Sequence, residues 1–345
     1  MKHFRFSLVF AFFCLGLSFY WGYVQGGYLI AANTLGVAFI LAIMETSLSF
    51  DNAVVNASIL KNWNAFWQKI FLTIGILIAV FGMRLVFPIV IVASAASIGI
   101  SDVWNLAVNS PLEFSKILKN HHQEVAVFGG VFLLLVSLNF LMDFNKKIHW
   151  LNYLEKKLAY LGKFSNFSVL ISMLIVVLIV GTIETEKKAV VLIWGISGVI
   201  IYLATDLLSK FLESDGENSN NANLTKIAKT GTIGSFLYLE VLDASFSFDG
   251  VIGAFAITSD VVIIMLGLAI GAMFVRSMTI YLVKQGTLDE YVYLEHGAHY
   301  AIGVLAIIMF LSTSYHVPEI ITGLIGVLII GASLKSSIKY NNNIT

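Results

Sequence analysis

"ETSLSFDN", residues Glu45 to Asn52, lies between "LGVAFILAIM" and "AVVNASIL", two runs apolar enough to dissolve in lipid. A carboxylate at a bilayer centre costs ~2.5–3.5 kcal/mol on insertion scales, so these acids must face protein, water or an opposite charge. "DASFSFDG", Asp243 to Gly250, repeats the arrangement. Glu45, Ser47, Ser49, Phe50 and Asp51 match Asp243, Ser245, Ser247, Phe248 and Asp249 at a constant offset of 198 residues.

The landmarks continue in order. Gly75 and Arg84 match Gly267 and Arg276, and His122 and Gly129 match His296 and Gly303. Such order on successive segments marks an internal duplication.

Of 345 residues, 58% are hydrophobic and only 12% charged, with mean hydropathy +0.86. Soluble domains carry about 25% charged residues, so the unit to count here is the membrane span. Net charge is zero, which points to no nucleic acid. The single cysteine, Cys14, leaves no intrachain disulfide and no thiolate cluster.

Hydropathy predicts an all-α polytopic bundle of about ten spans, roughly at 6–24, 30–58, 70–98, 124–143, 167–184, 189–208, 233–257, 260–283, 298–315 and 318–335. The first is read as a retained helix with an aromatic anchor at Tyr20, Trp21 and Tyr23 rather than a cleaved signal. With the N-terminus inside, the inner segments hold fifteen Lys and Arg against four outside, which predicts both termini cytoplasmic.

Residues 1–208 form the first five-span repeat, with a cytoplasmic loop at 144–166. Residues 209–232, Asn-rich and without periodicity, read as a flexible cytoplasmic linker. Residues 233–345 form the core of a second repeat whose first span is 189–208. Within 144–166, "KKIHWLNYLEKKLAYL" suits either an amphipathic helix on the inner membrane surface or a solvated loop helix. An odd number of spans per repeat makes the second copy enter the membrane in the opposite sense. Inverted repeats of this kind belong to transporters, whose sites lie near the midplane on interrupted helices.

Glu45, Asp51, Asn52, Asp243 and Asp249 form a hard-oxygen set suited to Mg, Ca or Mn. Ser47, Ser49, Glu240, Ser245 and Ser247 are accessory oxygens. On a straight helix Glu45, Ser49, Asn52 and Asn56 share a face and Asp51 points about 120° away. In the second copy Glu240, Asp243 and Ser247 share a face and Asp249 is the outlier. An opening of both helices around Ser47 to Asp51 and Ser245 to Gly250 is therefore expected, against the plainer reading of interhelical polar glue.

Arg84 and Arg276 either hold the acids ionised or serve structure near helix ends. Glu184 is an outer gate residue or a solvated helix end. His121, His122, His296 and His299 stand at span boundaries as hydrogen-bonded histidines, and Pro88 marks a kink in the third span.

"ETSLSFDNAVVNA" and "YLEVLDASFSFDGVIGAFAITSD" resemble the TerC-type membrane proteins, and "GLAIGAMFVRSMTIYLV" and "LEHGAHYAIGVLAIIMFLSTSYHVPEI" resemble that family's next two spans. The likeness covers roughly 30–100 and 233–335. Where the family usually has Asp-Ser-(Ile/Val)-Pro, this chain has "DGVIG", the pattern of a side branch. The resemblance implies a relation in topology to the lysine exporters, and several members are associated with manganese efflux. It places the family's acidic positions on Glu45, Asp51, Asn52, Glu240, Asp243 and Asp249. The expected activity is secondary export of a divalent cation, Mn²⁺ first, with protons as the exchanged ion and no prosthetic group. No nucleotide-binding loop and no nucleophile–base pair points to ATP use or an enzyme. The alternatives are an exporter of an organic cation or amino acid, and a non-transporting scaffold in metal or stress response.

Overall fold

The computed structural model describes residues 4–75, 77–96, 98–164, 166–213, 231–286, 290–315 and 317–342, so most of the expected linker lies outside the described residues. Among the described residues there is no strand. α1 (Arg5–Gly26) and α2 (Tyr28–Leu48) form a hairpin about Gly27, whose φ of 79° suits glycine. Ser18 and Thr34 hydroxyls each donate to the other's carbonyl across it, at 2.9 Å. α3 (Phe50–Leu60) follows, then α4 (Ala65–Ile70), capped by Asn64 accepting from the Trp67 amide.

The third span is not regular. Phe71–Gly75 and Ile78–Val86 are π-helical, and α5 (Phe87–Ala96) resumes the α form. Pro88, at the second position of α5, has no N–H and its ring clashes with the turn before it. The wider π turns next to it, with the Phe87 amide donating to Gly82 O, absorb the mismatch that was expected as a kink.

The expected connection 99–123 instead folds into α6 (Ile100–Asn109) and α7 (Pro111–Asn120), the latter with Pro111 in its first turn. α8 (His122–Leu141) is apolar on every side and buried along most of its length, as a helix at the centre of a bundle must be. α9 (Asn152–Leu161) is short and amphipathic. α10 (Phe167–Thr182) and α11 (Lys188–Glu213) complete the first part of the chain.

α12 (Ile233–Ile257) opens on a capping box in which Thr232 and Ser235 satisfy each other's amides. α13 (Val261–Gln285) is capped by Asp260, which also accepts from Trp21 Nε1 at 3.0 Å and so ties α1 to α13. α14 (Leu294–Ser312) and α15 (Glu319–Asn342) end the chain.

Among the described residues eight helices are long and apolar enough to cross a membrane, which makes this a multi-pass membrane protein. Two of the ten expected spans stand apart from those eight. α10 is shorter at 16 residues, and α12 carries Glu240, Asp243 and Asp249 together.

Contacts between the repeated landmarks follow a two-fold pattern. Glu45 lies against Gly250 while Asn56 bonds Asp243, so α2–α3 and α12 run antiparallel. His122 bonds Ser312 while Ser137 bonds the His299 carbonyl, so α8 and α14 also run antiparallel. Gly267 abuts Ala38 and Leu41, and Gly75 abuts Phe236 and Glu240. At the 198-residue offset Ala38 corresponds to Phe236, so these contacts are equivalent under one rotation. Reciprocity of this kind is what a two-fold axis requires.

The expected helix openings are corrected. In the first copy the interruption is one residue, Ser49, with φ −96° and ψ 19°. Its N–H still donates to Glu45 O and its carbonyl still accepts from Ala53. In the second copy α12 runs unbroken, and Ser245 Oγ donates back to Val241 O within it. Gly250 serves close approach instead: a Cβ there would stand 2.7 Å from Glu45 Oε2.

Close glycine contacts carry much of the helix association, as expected where lipid offers no hydrophobic drive. A Cβ on Gly267 would meet Leu41 Cβ at 2.6 Å and Ala38 O at 3.0 Å, whereas one on Gly16 would meet nothing within 4 Å. Gly267→Val should therefore destabilise the protein by about 1–3 kcal/mol. Gly16→Val should leave the detergent melting temperature nearly unchanged, and equal melting of the two variants would contradict the packing described.

Candidate functional site: two polar cavities at the helix crossing

Ser49 redirects the chain between the two acids of the first motif. On a straight helix Glu45 and Asp51 diverge, but with the joint at Ser49 both line one small cavity, together with Ser49, Asn52, Phe246 and Thr322. A second cavity is lined by Ser49, Asn52, Asn56, Arg84, Asp243 and Arg276. Each has a volume of about 30 Å³, room for about one water molecule or bare ion. Ser49 and Asn52 belong to both walls, so the cavities are neighbours with a polar septum.

The carboxylates have different partners. Glu45, 1% exposed, accepts from Arg84 Nη2 and from Ser49 Oγ at 3.1 Å. Arg84 also donates through Nη1 to Ala79 O at 2.5 Å, a carbonyl of its own π-helical stretch. Asp51 Oδ1 accepts from the Asn52 amide at 3.0 Å. Asp51 is admitted by α15, where a Cβ on Gly326 would stand 3.1 Å from its Oδ2. Asp243 Oδ1 accepts from Asn56 Nδ2 at 2.9 Å.

Several buried polar atoms have no hydrogen-bond partner: Asn56 Oδ1, Arg84 Nε, both Glu240 carboxyl oxygens, Ser247 Oγ and Arg276 Nε. Asn56, Arg84 and Arg276 line the cavity that holds Asp243, so three of its lining side chains keep an unused donor or acceptor.

The remaining sequence candidates fall as follows. Asp249 lies within α12, and its side chain is outside the described residues. Ser47 is exposed and donates to Ile43 O, away from both cavities. Ser245 and Glu240 line a separate apolar cavity of about 320 Å³ between the third span, α8 and α12. Glu184 is exposed in the turn after α10 and lines neither polar cavity. The histidines are all engaged: His121 with Glu124, His122 with Ser312, His296 with Glu155, and His299 with Glu295 O and the Phe140 ring.

Among the described residues no three His, Cys, Asp or Glu side chains converge as a metal site. A cation here would be met by paired carboxylates completed by the amide and hydroxyl oxygens of Asn52, Asn56 and Ser49. Asn56 was legible only as a member of the Glu45 stripe. Its bond to Asp243, and the glycines that admit the acids, are set by the partner helix and leave no local signal beyond glycines at helical spacing.

A family model described as "Protein of unknown function (DUF475)" matches residues 50–344. The chain belongs to the DUF475 family. No curated protein and no solved structure matches it significantly. The DUF475 match opens at Phe50, immediately after the Ser49 joint, and so takes in Asp51, Asn52, Asn56 and the whole of the second motif.

In this DUF475 protein the Glu45–Arg84 pair is buried, so losing one partner strands a charge. Arg84→Ala should cost about 3–5 kcal/mol. The reversed pair Glu45→Arg with Arg84→Glu should recover part of that loss in thermal unfolding. No recovery in the double variant, or no loss in the single one, would contradict the pairing.

Proposed function

We propose that the protein is a secondary transporter of a bacterial inner membrane that exports a divalent cation, Mn²⁺ first, through the two polar cavities. The observation that carries this reading is the pair of adjoining cavities at the antiparallel crossing of α2–α3 and α12. Each is lined by an aspartate, and together they share Ser49 and Asn52. A volume near 30 Å³ favours a bare ion over an organic solute. Oxygen donors alone favour a hard cation. The resemblance to TerC-type proteins supports manganese within that class.

Asp51 is the principal ligand of the first repeat, and Asp249 of the second by its correspondence to Asp51. Glu45 and Asp243 complete the shell or carry the exchanged proton. Asn52, Asn56 and Ser49 supply neutral oxygens.

Arg84 stands in for the cargo: its guanidinium neutralises Glu45 while the site is empty, and an arriving dication competes for that carboxylate. Arg276, the counterpart of Arg84, has no carboxylate partner among the described residues, and its guanidinium lies 5.8 Å from the Phe6 ring centroid. The two repeats thus hold their arginines differently, as alternating access between inverted repeats requires of any single state. Lysine-rich inner connections favour both termini cytoplasmic.

A second reading rests on the 320 Å³ apolar cavity, with Phe87, Phe128 and Phe236 on its walls and Glu240 beside them. It fits an organic cation.

Proteoliposomes decide between them. Mn²⁺ flux should fall at least about tenfold in Asp51→Asn and in Asp249→Asn, the loss expected when an acid of the ion path is removed, with both variants still folded. Unchanged flux in both variants would overturn the assignment. Mn²⁺ binding without flux would favour a scaffold, and lysine flux would favour the organic solute.

A further inference from the structure

α9 has two faces of opposite chemistry. Its inner face carries Glu155, with no exposed surface, on which six donors converge. Lys146 Nζ reaches its carboxylate at 2.9 Å, His296 Nδ1 at 3.1 Å, His149 Nδ1 at 3.3 Å and Tyr300 Oη at 3.3 Å. The amides of Trp150 and Leu151 lie at 3.1 and 3.2 Å. Burial pushes this carboxyl up, but hydrogen bonds and charge from His296 and Lys146 outweigh it and hold it well below the usual range. Glu155 therefore stays ionised near neutrality and bolts α9 to α14.

The outer face is apolar and basic at once. Tyr153, Lys157 and Tyr160 follow the i, i+4, i+7 spacing of one stripe and are exposed, as is Phe164 in the bend just beyond the helix. Lys156 and Lys163 flank them. Lys157 Nζ lies 4.2 Å from the Tyr153 ring centroid, and Lys163 Nζ lies 4.6 Å from that of Phe144 and 4.9 Å from that of Tyr160. A groove of about 480 Å³ runs between Tyr153, Lys156, Lys157, Tyr160 and Leu161.

Position says what covers this face. α8 ends at Leu141 and α10 begins at Phe167, both strongly apolar helices, so the connection leaves and re-enters the bilayer within a short length of chain. A ten-residue helix bolted between them by Glu155 stays at headgroup depth. Exposed aromatics there meet the acyl boundary, and lysine ammoniums beside them meet phosphate.

We propose that the outer face of α9 is a docking surface for anionic phospholipid headgroups. Lys156, Lys157 and Lys163 take the headgroup phosphate, while Tyr153, Tyr160 and Phe164 enter the interface. Because the opposite face grips His296 of α14, the occupied surface also steadies the inner end of that helix.

The test uses the full chain in neutral detergent, with melting followed as phosphatidylglycerol, phosphatidylcholine or inorganic phosphate is added. Phosphatidylglycerol should raise the melting temperature, more at low salt than at high, and the other two should not. The triple variant Lys156→Gln, Lys157→Gln, Lys163→Gln should melt normally in detergent alone and lose the gain. Its apparent lipid affinity should fall about 100-fold, near 1 kcal/mol for each lysine. Equal stabilisation by phosphatidylcholine, an equal response to free phosphate, or a triple variant that keeps the gain would overturn the proposal. Glu155→Gln, which loosens the inner face only, should lower the starting melting temperature and keep a response to phosphatidylglycerol.

Discussion

Burying carboxylates at the centre of an apolar bundle is the constraint on which the rest of the structure depends. Glu45, Asp51, Glu240 and Asp243 are enclosed where water is scarce, and each needs a partner or a proton. Glu45 has the strongest partner, Arg84, itself held by the Ala79 carbonyl. That bond sits within the π-helical part of the third span. A widened turn next to Pro88 offers a carbonyl and room for a guanidinium inside a helix that would otherwise be closed to both. Asp243 has a weaker partner in Asn56, and Asp51 has only the neighbouring amide. Enclosure therefore grades the acids from Glu45, paired with an arginine, through Asp243 and Asp51 to Glu240, whose carboxyl oxygens have no hydrogen-bond partner.

The two-fold arrangement follows from the same constraint. Neither motif can bury its acids alone, because a single amphipathic stripe in lipid exposes them. Crossing the two antiparallel motifs places two of the acids against the other copy's glycines: Glu45 against Gly250 and Gly271, Glu240 against Gly75. The glycines carry no chemistry of their own. They set the distance at which a carboxylate can lie against a helix backbone, so the site and the helix packing are one feature. Among the described residues the copies then differ in their arginines, Arg84 paired with Glu45 and Arg276 with no carboxylate partner.

Much of this was legible in the sequence. The offset between Glu45 and Asp243, the spacing of Gly75 to Arg84 and Gly267 to Arg276, and the apolar runs led to an all-α bundle with crossing motifs. What the sequence misses is decided by tertiary partners. Two serine-rich acidic motifs suggest opened helices, yet Ser47 and Ser245 simply bond the carbonyl four residues back and Ser49 alone bends the chain. The π turns accompany a contact between Arg84 and a carboxylate of another helix, which leaves no local signal. Residues 100–120 read as a connection because their apolar faces, seating Val103 and Phe114, are too short to register as spans. Glu155 looked like one more charge among lysines, since nothing local tells that His296 lies 141 positions away in sequence and within 3.1 Å in space.

The central claim is that an ion sits at the helix crossing, and anomalous scattering locates an ion most directly. Crystals soaked in Mn²⁺ and measured at the manganese edge should show a single strong peak within the cavities shared by Ser49 and Asn52, in reach of Asp51 or Asp243. Manganese found only at surface carboxylates, with the crossing unlabelled in well-ordered crystals, would contradict the account.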